Sequence, residues 1–396
     1  MADEFRHLTS DDMDQLLDVR SVSYQPVVDR EAAAKHLEWR LPHSLGVFRG
    51  GRLKSVTFMY PFGAYVGGVT TPFGALSGVA TAPEARRGGL VAQSLRRWYA
   101  DLHDRGIGWS AEHPFEPTFY ARLGYQTLLN GHSVQMAFDR FKPSAGAENI
   151  DADAEPVGPE RTAAMREIYE AYARRFSFML TRDDGVRDHW AWTFKRPWDT
   201  VGHFVYLLDD AYAVVMTEEL TLPIERTLLK VRDFAYSSPA GRQRLFAFLA
   251  SFQGQAEEVR LHLPPGDQVA LDRAAYETIE SPELQVRMTD VKAALEGLSW
   301  PVPARLVLGV SDPDCEWNDG TFSIDLGPGG STARRSDGSE PDAGLDINAL
   351  VALVTGAATA ETLVADGRAE GDVSLLRPLA SALAGHPVFK PHNDHF

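Results

Sequence analysis

Cysteine is nearly missing from this chain of 396 residues. Cys315 stands alone, which excludes an intramolecular disulfide framework and any cysteine-rich zinc site. Lysine is scarce as well, 7 residues beside 32 arginines, and the 39 basic residues fall short of the 55 acidic ones, for a net charge of −16. A sequence-independent nucleic-acid binder needs a basic stripe to displace phosphate counterions, so the balance argues against nucleic acid. It is equally ill matched to an anionic membrane surface. No apolar run reaches the ~18 residues that suggest a membrane span. The first residues, Met1 to Arg6, lack the cationic-then-apolar pattern of a secretory signal, so the expected location is cytoplasmic.

What is present is the make-up of an ordinary soluble globular protein, 44% hydrophobic and 24% charged. Arginine-rich, acid-rich composition fits a GC-rich genome or adaptation to high salt, and both readings stand. An acidic surface suits a cationic small molecule. The charge is uneven. From Asp290 to Phe396 there are 16 acidic and 7 basic residues, so the last quarter reads as a separate unit.

At roughly 100–200 residues per domain the length predicts two to four domains. Lys142–Arg161 and Glu280–Pro303 are rich in Pro, Gly, Ala and scattered charge, and both read as linkers. They divide the chain into units of residues 1–145, 146–288 and 289–396. The first alternates strands and helices. Gly50-Gly51 marks a hairpin, Ala75–Thr81 reads as a strand, and Leu90, Val91, Leu95, Trp98 and Leu102 recur at helical spacing. The second repeats this α/β grammar. The third runs strands first and then helical stretches at 347–355, 360–366 and 373–383, the order of an α+β unit.

The segment that carries chemistry is Val79–Leu90. A strand runs into a turn holding Arg86, Arg87, Gly88 and Gly89, and the turn opens directly into a helix. Unpaired N–H groups at a helix start, together with the dipole, form a site for phosphate oxygens. Glycines let the main chain approach such a ligand, and the arginines add charge-assisted bonds. The spacing matches neither G-x-G-x-x-G nor G-x-x-x-x-G-K-[ST].

This strand–turn–helix resembles the R/Q-x-x-G-x-G/A pyrophosphate motif of the GNAT acetyltransferases, with Val91 in place of the last small residue. The run V-A-x-A-P-x-x-R-R-x-G-L is similar to one branch, the Eis ("enhanced intracellular survival") N-acetyltransferases. Phe119-Tyr-Ala-Arg-Leu-Gly-Tyr125, preceded by Glu116, resembles a second element of that branch, and the apolar tail ending in Phe396 a third feature. The likeness extends over essentially the whole chain. It implies two fused GNAT-type domains, the second a degenerate one, followed by a sterol-carrier-protein-like α+β domain.

By that resemblance acetyl-CoA is the co-substrate, with no metal. Its pantetheine arm would pair with Val79, Ala80 and Thr81. Its pyrophosphate would lie on Arg87, Gly88, Gly89, Leu90, Val91 and Ala92, with Arg86 opening the motif. Phe115 (where serine is usual) and Glu116 match a further coenzyme-contacting pair. Tyr120 matches the general acid that protonates the departing thiolate, and the α-carboxylate of Phe396 the general base that deprotonates the amine. A strand N–H near Thr81 would serve as oxyanion donor. The implied partners are a small-molecule amine, for which aminoglycosides, polyamines, lysine side chains and amino sugars all fit, and five further copies of the chain in a homohexamer built as a trimer of dimers.

Plainer readings stand beside these. Tyr120 and Tyr125 read as core packing by residue type, and a terminal Phe behind His392 and His395 as a frayed tail. The same histidine pair lacks a nearby third metal ligand. Trp190, Trp192 and Trp198 read as domain-interface core or as a pocket wall, and Asp183, Asp184 and Asp188 as a solvated face or helix start. A different class of function is an apolar-ligand carrier, in which the last unit would hold a large apolar tunnel and the others would be scaffold. Transfer of a longer acyl group is a third.

Overall fold

The computed structural model describes residues 2–24, 27, 29–128, 131–141, 153–182, 186, 188–195, 203–220, 226–267, 277–279, 284–336, 338–391 and 394. Phe396, His392, His395, Trp198, Asp183 and Asp184 lie outside them. Among the described residues the strands form three sheets.

The chain opens with β1 (Glu4–Arg6), α1 (Met13–Ser21) and α2 (Arg30–Leu37), then a meander of β2 (Ser44–Arg49), β3 (Arg52–Val66) and β4 (Val69–Thr81). Gly50 and Gly51, at φ +60° and +73°, make the β2–β3 turn, a conformation that glycine takes without a Cβ penalty. Next, α3 (Leu90–Asp104) buries its stripe of Leu90, Leu95, Trp98, Tyr99 and Leu102. It carries the chain across the sheet so that β5 (Trp109–Glu112) pairs parallel to β4. After α4 (Pro117–Ala121) and β6 (Gln126–Leu128) the chain leaves this sheet.

The second sheet is built from β7 (His132–Ala137), β8 (Glu155–Pro156), β9 (Phe204–Leu208), β10 (Ala211–Leu220), β11 (Arg226–Tyr236), β12 (Glu258–Leu263) and β13 (Glu277–Ile279). Its helices are α5 (Thr162–Ala173), α6 (His189–Phe194) and α7 (Pro239–Ala250). Then β14 (Leu284–Met288) returns to the first sheet. The strand orders are β1-β2-β3-β4-β5-β14-β6 and β13-β7-β12-β11-β10-β9-β8. In each, one parallel pair (β4 with β5, β11 with β12) is followed by an antiparallel strand: β14, which the chain reaches only after all seven strands of the second sheet, and β7, which falls within residues 1–145 yet opens the second sheet. The first two units are thereby interlocked.

This corrects the reading of 280–303 as a linker. All five residues of β14 are buried, as befits a strand covered on both faces. Its polar members are satisfied by partners distant in sequence. Gln285 donates to Pro117 O and Thr127 Oγ1, and Arg287 donates to Leu123 O and to both carboxylate oxygens of Asp312. Gly124, at φ +84°, is required beside it, because a Cβ there would stand 1.3 Å from Arg287 Nη1.

The third unit starts with α8 (Val291–Glu296), which Asp290 caps. It continues through β15 (Ala304–Ser311), β16 (Gly320–Leu326), β17 (Thr332–Arg335) and β18 (Ala343–Asp346). Then come α9 (Ile347–Val354), α10 (Ala360–Ala365), β19 (Ala369–Gly371) and α11 (Val373–Leu376). Its sheet order is β17-β16-β15-β18-β19. The single helix expected over 373–383 stops at Leu376 and tightens into a 3₁₀ turn, Arg377–Ser381. Pro378 supplies no N–H for a continuing α-helix. The apolar core of this unit is continuous with that of the first. No described helix is long and apolar enough to cross a membrane.

Trp190 and Trp192 belong to the chain's own interior. Trp190 packs edge-on against Tyr169, and Trp192 lies 6.1 Å from the His36 ring of α2. The tail is anchored too. Phe389 N donates to Ser177 O at 3.0 Å, and the fully buried Asp394 accepts from Arg182 Nε at 2.7 Å, Tyr169 Oη at 2.9 Å and Leu180 N at 3.0 Å.

Removing one partner of a buried ion pair leaves an uncompensated charge, which costs about 3–5 kcal/mol. Arg287→Ala is therefore expected to lower unfolding free energy by that amount in urea titration, whereas a surface pair such as Arg305–Asp325 is worth under ~1 kcal/mol. An Arg287→Ala midpoint equal to that of the native protein would overturn the role given to this pair.

Candidate active site

The site begins with a fault in strand register. β3 and β4 pair residue for residue from Val66 opposite Val69 to Phe58 opposite Ser77, and then Val56 faces Ala80. Three steps on β4 match two on β3, so β4 bulges, with Gly78 at φ +57°. On its other edge β4 pairs with β5 only from Phe73 to Ala75. Beyond Ala75 that edge of β4 has no strand neighbour among the described residues. Side chains bond several carbonyls of this stretch of β4. Tyr24 Oη donates to Val79 O at 2.8 Å, Ser55 Oγ to Ala80 O at 3.2 Å and Arg86 Nε to Thr81 O at 3.2 Å.

At the end of β4 a 3₁₀ turn, Pro83–Ala85, leads to Arg86 in extended conformation. Arg87 (φ +62°) and Gly89 (φ +73°) are both left-handed. Gly89 is the N-cap of α3, and the first turn of that helix holds no acidic residue. Its amides are therefore not claimed by a carboxylate of their own helix, and the positive end of the dipole faces outward.

A cavity of about 490 Å³ lies between these parts, within the size range of small-molecule sites. Val79, Ala80, Thr81, Arg86, Arg87, Gly88, Gly89, Leu90, Val91, Ala92 and Phe115 all line it. Glu116 does not line it; its carboxylate caps α4 by accepting from Thr118 N and Thr118 Oγ1. The two arginines differ in a way their adjacency hid. Arg86 is committed to the main chain, with Nη2 also donating to Val22 O at 3.1 Å. Arg87 makes no hydrogen bond or ion pair among the described residues. The cradle fits a coenzyme pyrophosphate, since a Cβ on Gly89 would meet nothing within 4 Å.

Tyr120 sits behind this wall. It is 2% exposed and edge-on to Phe115, Phe119 and Tyr125, with centroids 5.7, 5.0 and 6.1 Å away. Burial, with the nearby Glu112 carboxylate, raises its pKa above the ordinary phenol value. Such a phenol holds its proton and can act only as a donor at working pH. The third unit braces this segment, as Asn348 Nδ2 donates to Tyr125 O at 2.7 Å and Ala121 O at 3.1 Å.

Sequence reasoning passed over Ser23, Tyr24 and Gly78. An isolated glycine inside the strand text Ala75–Thr81 was a usable bulge signal. Tyr24 meets the site only through the fold. Among the described residues the second sheet offers no equal cradle. At the start of α7 the Asp210 carboxylate accepts from Ser238 Oγ and Arg244 Nη2, and a Cβ on Gly241 would stand 2.7 Å from it.

Comparison with known proteins agrees with this layout. Residues 4–128 and 180–288 each match a model of the acetyltransferase (GNAT) domain, and residues 291–391 a sterol carrier protein domain. An N-acetyltransferase of Streptomyces griseus is 28% identical over 88% of this chain and 86% of its own. The N-acetyltransferase Eis of Mycobacterium bovis is 28% identical over 81% and 80%. Among solved structures, a GCN5-related N-acetyltransferase from Anabaena variabilis covers 100% of both chains with a TM-score of 0.86 at 21% identity. Eis1 from Mycobacterium abscessus does so at 0.78 and 21%. Fold and matches together define a GNAT N-acetyltransferase, and therefore a user of acetyl-CoA. Within that class the chain, two GNAT domains followed by a sterol carrier protein domain, is similar to the Eis N-acetyltransferases.

Two outcomes are expected. Arg87→Ala should weaken binding of acetyl-CoA and CoA alike by about 1.5–3 kcal/mol in calorimetry, the worth of a hydrogen bond to a charged group. Gly89→Val should do more, since a β-branched residue resists positive φ and stands in the path of the ligand. Unchanged affinity in both variants would move the coenzyme elsewhere. For Tyr120, the raised pKa means its acid form persists to at least pH ~10. The pH–rate profile should therefore show no limb below that value which Tyr120→Phe removes.

Proposed function

We propose that the first unit, residues 1–145, transfers acetyl from acetyl-CoA to a primary amine, with residues 146–288 as a degenerate second unit and 289–396 as the sterol-carrier-like third. The observation that carries this is the cavity between the β4 bulge and the open amide end of α3. Val79, Ala80 and Thr81 would hold the pantetheine arm, and Arg87 through Ala92 the pyrophosphate. Arg86 would hold the turn in place, and Phe115 would cover the coenzyme.

The bound thioester supplies the acetyl group. Tyr120 keeps a proton ready for the departing sulfur. A main-chain N–H near Thr81 would stabilise negative charge developing on the carbonyl oxygen. The α-carboxylate of Phe396 would take the proton of the amine. Asp394, two residues before it, is buried and accepts from Arg182 Nε and Leu180 N.

Aminoglycosides and polyamines fit the net charge of −16, which attracts polycations at long range. The reading includes a homohexamer. The apolar-carrier alternative needs a large apolar tunnel in the third unit. The cavity seen there, about 660 Å³, instead carries Arg305, Asp325, Arg334 and Asp342 on its walls, and α9 buries seven of its eight residues in the core.

The deciding measurement is thiol release from acetyl-CoA against an amine panel. Tyr120→Phe should lower kcat by about 10²–10⁴-fold with CoA affinity kept. Deleting Phe396, or adding a C-terminal tag, should abolish turnover with little change in melting temperature. Tagged and truncated chains that match the native rate would remove the terminal carboxylate from the mechanism. Light scattering should find particles near six chains, and a monomer alone at micromolar concentration would refute the hexamer.

A further inference from the structure

On the sheet face that carries α1 and α2, two arginines converge on the β4 bulge. Arg20, in the last turn of α1, lays its guanidinium 4.9 Å from the Tyr24 ring centroid and 5.8 Å from that of Phe58. A Cβ on Gly78 would stand 3.1 Å from its Nη1. Arg40, just beyond α2, is 7% exposed and lies 5.1 Å from Trp39 and 6.0 Å from the same Phe58 ring. Its Nη2 is 3.4 Å from His36 Nε2. Tyr24 separates this pair from the coenzyme cavity, which it lines while bonding Val79 O.

The electrostatics are unusual for this chain. Among the described residues neither guanidinium has an ion-pair partner, and Arg20 Nη1 and Arg40 Nε are buried without a hydrogen bond. Elsewhere the fully buried arginines are neutralised, Arg182 by Asp233 and Asp394, Arg287 by Asp312. Here burial first, and then repulsion from Arg40, lowers the pKa of Arg20. Among the described residues no carboxylate forms an ion pair with either of them. Two like charges in a low-dielectric recess are strongly unfavourable until an anion joins them.

We propose that Arg20 and Arg40 receive a carboxylate of the acceptor, so that the substrate class is an amine that also bears a carboxylate, amino-acid-like rather than polycationic. The proposal rests on the first unit being the transferase site. Guanidinium forks bind carboxylates in paired hydrogen bonds, and Tyr24, against whose ring Arg20 lies, is itself part of the coenzyme cavity's wall. The carboxylate takes no part in the reaction. The amine nitrogen bonds to the acetyl carbon as the C–S bond breaks, the nitrogen's proton leaves to a base, and the thiolate is protonated. Net charge steers ligands from afar, but the groups in contact decide what stays.

Kinetics of the full-length protein test this with matched acceptors: α-amino acids, their amides, spermidine and kanamycin. Amino acids are expected to exceed their amides in kcat/KM by about 10- to 100-fold, the loss of one charge-assisted contact. Arg20→Met and Arg40→Met should erase that preference through KM, with melting temperature and CoA affinity unchanged. Preference for amides or polyamines, retained in both variants, overturns the proposal while leaving the transferase intact. An equal fall in kcat for both members of each pair also overturns it, since the arginines would then serve the reacting oxygen. A second arm does not depend on turnover. N-acetylglycine should bind the protein–CoA complex in calorimetry, N-acetylglycinamide should not, and Arg20→Met should abolish the binding. Absence of N-acetylglycine binding refutes the anion site, whatever the transferase assay shows.

Discussion

Two residues of β4, Gly78 and Val79, facing one of β3, Thr57, set the terms for the rest of the site. The surplus is absorbed at Gly78, where φ is +57°, and the bulge ends the parallel pairing of β4 with β5 after Ala75. Beyond Ala75 that edge of β4 is left without a strand neighbour among the described residues. The strand end runs into the turn of Arg86 to Gly89, so that the last residues of β4 and the first residues of α3 line one cavity. Arg20 reaches the other side of the bulge because no Cβ stands on Gly78 to fill that space.

Around this fault the structure is stiff. The first sheet is completed by β14, which the chain reaches only after all seven strands of the second. Arg287 on β14 carries the linkage into the third unit through Asp312. Asn348 of α9 fastens the carbonyls that close the Tyr120–Tyr125 segment. Arg182 and Asp394 fasten the tail to the second unit. The second and third units thus brace the Tyr120–Tyr125 segment and Asp394 through buried hydrogen bonds and ion pairs.

Charge divides the molecule into two regimes. Over the surface, acids outnumber bases by 16, which sets long-range attraction and solubility. In the interior, guanidinium groups are matched to carboxylates one site at a time, apart from Arg20 and Arg40 among the fully or largely buried arginines described above. A whole-chain sum therefore speaks to what approaches the protein, and the local arrangement speaks to what is held.

What the sequence by itself determined is local. The amphipathic stripe of α3, the glycines of the β2–β3 turn and the run from Val79 to Ala92 are written in neighbouring residues, so periodicity and spacing sufficed, and the resemblance in that run and at Phe119–Tyr125 carried the family. Gly78 was legible too, as an odd glycine in a strand. Only the tertiary structure decided the rest, because it depends on partners far apart in the chain. The burial of β14 follows from pairing with β5 and β6, more than 150 residues earlier, so a stretch with polar Gln285 and Arg287 looked like a linker until Thr127 and Asp312 were beside it. The division of labour between Arg86 and Arg87, the anchoring of Asp394 and the meeting of Arg20 with Arg40 are likewise set by packing, which no window of sequence contains.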